Sequence, residues 1–118
     1  MKHLGVLMAK QTRTYASMTK EALALMGKQI QLARKARHMS ATDLAERVGV
    51  ARSTLWRIEQ GEPGVEIGLV FEAAILAGVP LFENASGSLG KEINRLNDKL
   101  ALLPASIRDR PAELKDDF

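Results

Sequence analysis

Arg52, Ser53, Thr54 and Arg57 stand in a short run whose apolar members, Leu55 and Ile58, are at helical spacing. A helix there buries Leu55 and Ile58 and turns two guanidinium groups and two hydroxyls away from that seam. An outer face of this chemistry fits a DNA major groove. The rest of the chain offers no rival chemistry. Its two histidines, His3 and His38, are far apart in sequence, and cysteine is absent. Asp43 and Glu46 share a helix face but are read as capping and solvated charge, not as an acid–base pair. His38 has no second ligand nearby and is read as a surface residue. Gly87-Ser88-Leu89-Gly90-Lys91 has the wrong spacing for a phosphate loop, and no strand precedes it. The chain is therefore not expected to be an enzyme, and no metal or cofactor is implied.

The elements that must hold those side chains come next. In residues 40–61 the apolar residues Leu44, Ala45 and Val48 form one helical set, Leu55 and Ile58 a second, and Gly49 stands between them. The spacing predicts two short helices joined by a tight turn. Ser40 is expected to cap the first, with Asp43 in the capping-box position, where its short side chain makes only part of the box. Ala45 is small where the helices touch. Gly49 supplies the positive φ of the turn. The second helix is expected over residues 52–60, ended by Gly61. Ala51 is a poor cap, so its first-turn N–H groups are left for water or a phosphate.

The totals agree with a helical protein. The chain has 118 residues, 46% of them hydrophobic and 4% aromatic, which favours one small helical domain over a disordered polymer. Without cysteine there is neither a disulfide nor a thiolate metal site. No apolar run approaches the roughly 18 residues of a membrane span, and the N-terminal stretch has no signal core, so a cytoplasmic location is expected. The net charge of +3 is unevenly spread. Residues 1–26 carry +3, residues 27–61 +4, residues 62–86 −4 and residues 87–118 zero. Positive charge is concentrated in and before the helix pair, where a polyanion would bind.

Along the chain, residues 1–18 are expected to be a flexible arm, with Lys2, Lys10 and Arg13 as its basic residues. Ser17 or Thr19 is read as the cap of a helix reaching about Arg37, with Leu23, Met26, Ile30 and Ala33 inward and Gly27 as a break in it. Met39 is read as a core plug. After the turn Glu62-Pro63-Gly64, a fourth helix is expected over residues 66–77, ended by Gly78 and Pro80. It is apolar nearly all round, so its outer side needs cover from the C-terminal segment or a second subunit. Residues 80–83 are expected to add a helical turn, and residues 84–88 to be a linker. Leu89, Ile93, Leu96, Leu100 and Leu103 follow the 4-3-4-3 spacing of a coiled-coil seam. That helix, over residues 89–103, either pairs with a second copy or packs on its own domain; the over-apolar fourth helix favours dimerisation. The tail, residues 104–118, mixes Arg108 and Arg110 with Asp116, Asp117 and Phe118, and docks on a partner or stays unstructured.

From residue 27 to 82 the chain resembles the Cro/C1-type helix-turn-helix domain of phage repressors and XRE-like regulators. Ile30, Arg34, Ser40, Leu44-Ala45, Gly49-Val50, Ser53-Thr54-Leu55, Ile58-Glu59, Gly61 and Gly78-Val79 carry the resemblance. It implies an all-α fold, a lambda-repressor-like domain of five-helix type spanning residues 19–83, with an additional C-terminal helix and flexible termini. It also implies that Arg34 pairs with Glu59 and ties the first helix to the recognition helix. The family's base-reading positions fall on Ala51, Arg52, Ser53, Thr54 and Arg57, with Ala41 and Thr42 from the preceding helix. Arg52 and Arg57 suit paired bonds to guanine O6 and N7. Ala41 and Ala51 offer only van der Waals contact. Lys28, Gln31, Lys35, Ser40, Thr42 and Trp56 are assigned to the DNA backbone; Trp56 is read equally as a partial lid on the core. Glu62 and Glu66 depart from the basic loop that many relatives carry, which shifts phosphate contact towards Lys28, Gln31, Lys35 and the arm.

The function these observations imply is a homodimeric, sequence-specific regulator, a repressor acting on near-palindromic double-stranded operator DNA. The whole-chain plan is similar to HipB-like antitoxins, which implies autoregulation of an operon and a HipA-like kinase toxin as partner. The alternatives are a stand-alone phage-type or metabolic XRE repressor, and an adaptor that binds protein without DNA.

Overall fold

A computed structural model of the chain describes residues 13–82 and 88–107. Among them lie five α-helices: α1 (Ser17–Ala36), α2 (Ala41–Val48), α3 (Arg52–Glu59), α4 (Ile67–Ala77) and α5 (Leu89–Ala101). The described residues hold no strand, as an all-α fold requires. The chain divides into two compact units, Met1–Leu81 and Phe82–Phe118.

In the first unit, α1 and α2 both pack on α4, and α3 packs on α2 and α1. Ile30, Leu44 and Leu55 are the largest fully buried side chains. They come from α1, α2 and α3 and meet the small residues Ala73, Ala74 and Ala77 of α4. Alanine at those three places lets the helices approach closely while still removing apolar surface from water. Met39 and Val79 close the core from the connections, so Met39 is a plug as expected. Ile67 and Ile75 stay exposed on α4, so part of this apolar helix does face outwards.

Two expectations about α1 are corrected. Ala16 is its N-cap and makes no side-chain cap hydrogen bond, so neither Ser17 nor Thr19 caps it. Gly27 does not break it either; the helix runs through twenty residues. Glycine is needed there for a different reason. A Cβ on Gly27 would stand 2.7 Å from the Glu59 carbonyl carbon and 2.8 Å from the Ile58 carbonyl oxygen. The missing side chain lets the middle of α1 rest on the end of α3. Beyond α1 the chain turns at His38, exposed and at φ 57°, where the Met39 N–H donates to the Arg34 carbonyl at 2.9 Å.

The Ser40 hydroxyl accepts from the Asp43 N–H at 3.0 Å and caps α2. The Asp43 carboxylate lies 3.5 Å from Arg47, one turn along the helix. Gly49 takes φ 88°, and the N–H groups of Gly49 and Val50 both donate to the Ala45 carbonyl, at 2.8 and 3.0 Å. The two-helix turn is thus built where Ala45, Gly49 and Val50 place it. At the end of α4, Gly78 takes φ 98°, and the Arg37 guanidinium fills the space a side chain would need.

Of the helical turn expected over residues 80–83, the described residues 80–82 form no part. Residues 79–82 are non-helical, and Phe82 is exposed at φ 54°. A right-handed helical turn cannot pass through the left-handed φ of Phe82.

In the second unit Ser88 caps α5 by accepting from the Lys91 N–H at 3.3 Å. Arg95 pairs with Glu92 on its surface. The Glu92 carboxyl is held below its ordinary range, chiefly by the hydrogen bonds from Arg95. The helix stops at Ala101, with Leu102 as C-cap, so Leu103, expected within it, falls outside. None of its residues is buried.

The basic residues Lys2 and Lys10 of the expected arm lie outside the described residues, whereas Arg13 is described and exposed. Residue 83, residues 84–87 of the expected linker and residues 108–118 of the tail also lie outside them. Among the described residues no helix is long and apolar enough to cross a membrane.

Candidate nucleic-acid interface

The candidate interface is built on α3. Leu55, Ile58 and Glu59 are buried, which fixes the rotation of this eight-residue helix. At 100° per residue, Ser53 and Arg57 fall opposite that inward face, one turn apart. Gln60, the C-cap, is another turn on, and it is exposed. Arg52, Ser53 and Trp56 are exposed too; Thr54 is half-buried on the flank, and Arg57, although outward, is half-buried beside Glu62. Gln60 is a residue that sequence reasoning left without a role. Its spacing of seven from Ser53 was the available signal.

What keeps α3 in place is a buried ion pair. Arg34 Nε donates to one Glu59 carboxylate oxygen at 2.8 Å and Arg34 Nη2 to the other at 2.9 Å. Arg34 Nη1 donates to the Met39 carbonyl at 3.2 Å. Both residues are only 7% exposed, so the pairing expected from the resemblance is a buried, two-pronged fork. The hydrogen bonds to Glu59 hold the Arg34 guanidinium pKa above its ordinary value against the opposing effect of burial. One pair therefore joins α1, the α1–α2 connection and α3.

Ala51 precedes α3 with no side-chain cap; its carbonyl accepts from the Thr54 and Leu55 N–H groups at 3.0 and 3.1 Å. Thr42 and Ser40 are exposed at the start of α2. Ser40 already accepts from Asp43, and its hydroxyl proton remains to be donated. Ala41 differs from expectation. It is half-buried and packs against the core. On α1, Lys28 and Lys35 are exposed and Gln31 is half-buried, at spacings of three and four along one face. Trp56 is 58% exposed, so most of its surface lies outside the core.

Charge pairing sorts the cations. Arg57 Nε donates to Glu62 at 2.9 Å, and Arg47 pairs with Asp43. Among the described residues Arg52, Lys28 and Lys35 make no ion pair, and their charge is uncompensated locally. The loop carboxylate that departs from the family pattern is thus spent on Arg57. Glu66, the other acidic loop residue, stands exposed at the start of α4 without a cap bond.

Residues 25–81 match a family model described as a helix-turn-helix domain. No curated protein and no solved structure matches the chain. The matched residues begin within α1 and end after α4, so they contain the Arg34–Glu59 pair, the Gly49 turn and the whole of α3. The chain therefore carries a helix-turn-helix domain over residues 25–81, consistent with the Cro/C1 type, the module of DNA-binding regulators.

Proposed function

We propose that this chain is a homodimeric, sequence-specific transcriptional repressor acting in the cytoplasm, with α3 entering the major groove of a near-palindromic operator. The observation that carries this reading is the outward row of α3, Ser53, Arg57 and Gln60 with Arg52 at its start, held rigidly by the Arg34–Glu59 fork. Arg52, Ser53, Thr54 and Arg57 read base edges, and Ala51 makes apolar contact at the helix start. Lys28, Gln31, Lys35, Ser40, Thr42 and Trp56 meet the sugar–phosphate backbone. Dimerisation fits α5, whose Leu89, Ile93, Leu96 and Leu100 are all exposed.

Base and phosphate roles separate by experiment. Arg52→Ala is expected to cost about 1–3 kcal/mol on the preferred duplex and to relax one base preference. Lys35→Ala is expected to weaken binding to all duplexes alike and to lower the salt slope by about one. Fluorescence-anisotropy titrations over a salt series measure both. Equal loss on every duplex for Arg52→Ala removes it from the base readers.

For the biological setting we favour a HipB-like antitoxin that represses its own operon and holds a HipA-like kinase toxin. The support is the plan of a helix-turn-helix domain followed by a short helix and a mixed-charge segment that holds Arg108, Arg110, Asp116, Asp117 and Phe118. Deleting residues 104–118 is expected to spare DNA binding and abolish co-purification with the product of the adjacent gene. Failure of the full chain to capture that product favours a stand-alone repressor.

A further inference from the structure

Glu62 is the acidic residue that ought to harm a DNA-facing loop, yet it is built into the geometry of an outward arginine. Its backbone N–H donates to the Arg57 carbonyl at 3.0 Å as the chain leaves α3. Its carboxylate then returns to accept from Arg57 Nε at 2.9 Å. Gly64 lies beneath the same guanidinium; a Cβ there would be 3.6 Å from Nη2. Arg57 is thus framed by Glu62 and the Gly64 backbone, and both side chains of the pair are only about two-fifths exposed (43% and 42%).

An arginine has five donors in a rigid plane. Engaging Nε leaves the end-on edge, Nη1 with Nη2, which matches the paired acceptors O6 and N7 of guanine. Among the described residues that edge has no other hydrogen bond. The carboxylate has a second effect. It cancels the charge of Arg57 and repels phosphate at this loop, so the pair adds little to sequence-independent attraction. Specificity is the difference between the two affinities, and an element that lowers the non-specific one raises the ratio.

Resting on the DNA-reading function above, we propose that Glu62 is a positioning residue that sets base specificity: it holds Arg57 for end-on recognition of one guanine and suppresses non-specific binding. The probes are a duplex enriched from a random pool by the full chain, its variants at each base pair, and a scrambled duplex of the same length. Glu62→Ala is expected to tighten binding to the scrambled duplex several-fold at low salt, steepen the salt slope by about one and cut the preference for guanine at one position roughly tenfold. Glu62→Gln gains the same charge but keeps an acceptor for Nε. It is expected to bind the scrambled duplex like Glu62→Ala and to retain most of the guanine preference. In the Arg57→Ala background, Glu62→Ala is expected to leave all base preferences unchanged. Equal guanine preference in the Gln and Ala variants, whether both keep it or both lose it, overturns the positioning role. Failure of the wild-type chain to enrich any duplex overturns the DNA-reading function and this inference together, a result distinct from enrichment with unmoved preferences.

Discussion

Glu59→Ala is expected to destabilise the domain by about 3–5 kcal/mol, because it leaves the Arg34 guanidinium buried and unpaired. At present Glu59 takes two of the three hydrogen bonds that Arg34 makes, at 2.8 and 2.9 Å, and the third goes to the Met39 carbonyl. Water cannot replace them easily at a site where both residues are 7% exposed. For a domain whose total stability is about 5–15 kcal/mol, this is a large fraction. The melting temperature should fall by roughly 15 °C or more, measured by circular dichroism. Replacing both partners, Arg34→Met with Glu59→Leu, should cost far less, since no charge is then stranded. A single variant as stable as the wild type would show that the fork carries no weight. DNA affinity should fall with the fold in Glu59→Ala, since this pair sets the place of α3 against α1.

Gly27→Ala is expected to be strongly destabilising, against the ordinary preference of helices for alanine. In an open helix interior the exchange would stabilise by up to about 1 kcal/mol. At Gly27 the added carbon meets the Glu59 and Ile58 carbonyl groups at 2.7 and 2.8 Å, and these are backbone atoms that cannot swing aside. Relief requires α1 to move off α3, which opens the core beside Ile30 and strains the Arg34–Glu59 fork. A loss of about 1–3 kcal/mol or more is the scale of such overpacking. Gly68→Ala supplies the internal control. Gly68 lies in α4 with nothing within 4 Å of an added Cβ, so its replacement should be neutral or stabilising. Urea denaturation of the two variants decides the matter: opposite signs are expected, and stabilisation by both would contradict the close approach of α1 and α3.

These two positions also show how far the sequence could be read. Local chemistry was legible. Ser40 announces a cap, Gly49 a left-handed turn, and Leu44, Ala45, Leu55 and Ile58 an inward seam, because each acts within a few residues of itself. The helices α2, α3 and α4 fell within about one residue of their expected ends. Gly27 was misread as a break because propensity registers only the cost of glycine inside a helix, not a carbonyl arriving from a helix more than thirty residues away. Arg57 was legible as an outward cation, but its engagement by Glu62 was not. The pair depends on how the chain leaves α3 through Gly61, at φ 77°. The Arg34–Glu59 fork followed from resemblance; spacing alone does not pair residues on different helices. Leu103 shows the reverse error, since a heptad pattern continues on paper after the helix has ended at Ala101.

Buried polar chemistry and surface chemistry are divided cleanly in the first unit. Among the described residues no buried side-chain nitrogen or oxygen lacks a hydrogen-bond partner. The fork satisfies the interior, while Arg52, Ser53 and Gln60 remain available outside. A rigid interior of this kind holds the outward side chains in fixed geometry, as direct readout requires.

The most direct test of the account is selection of bound duplexes from a random pool by the full chain, followed by titration of the enriched sequence over a salt series. The account predicts a two-fold symmetric sequence whose half-sites are about one helical turn apart, roughly 34–36 Å, with affinity falling steeply as salt rises. No enrichment together with no salt-dependent DNA affinity would contradict it.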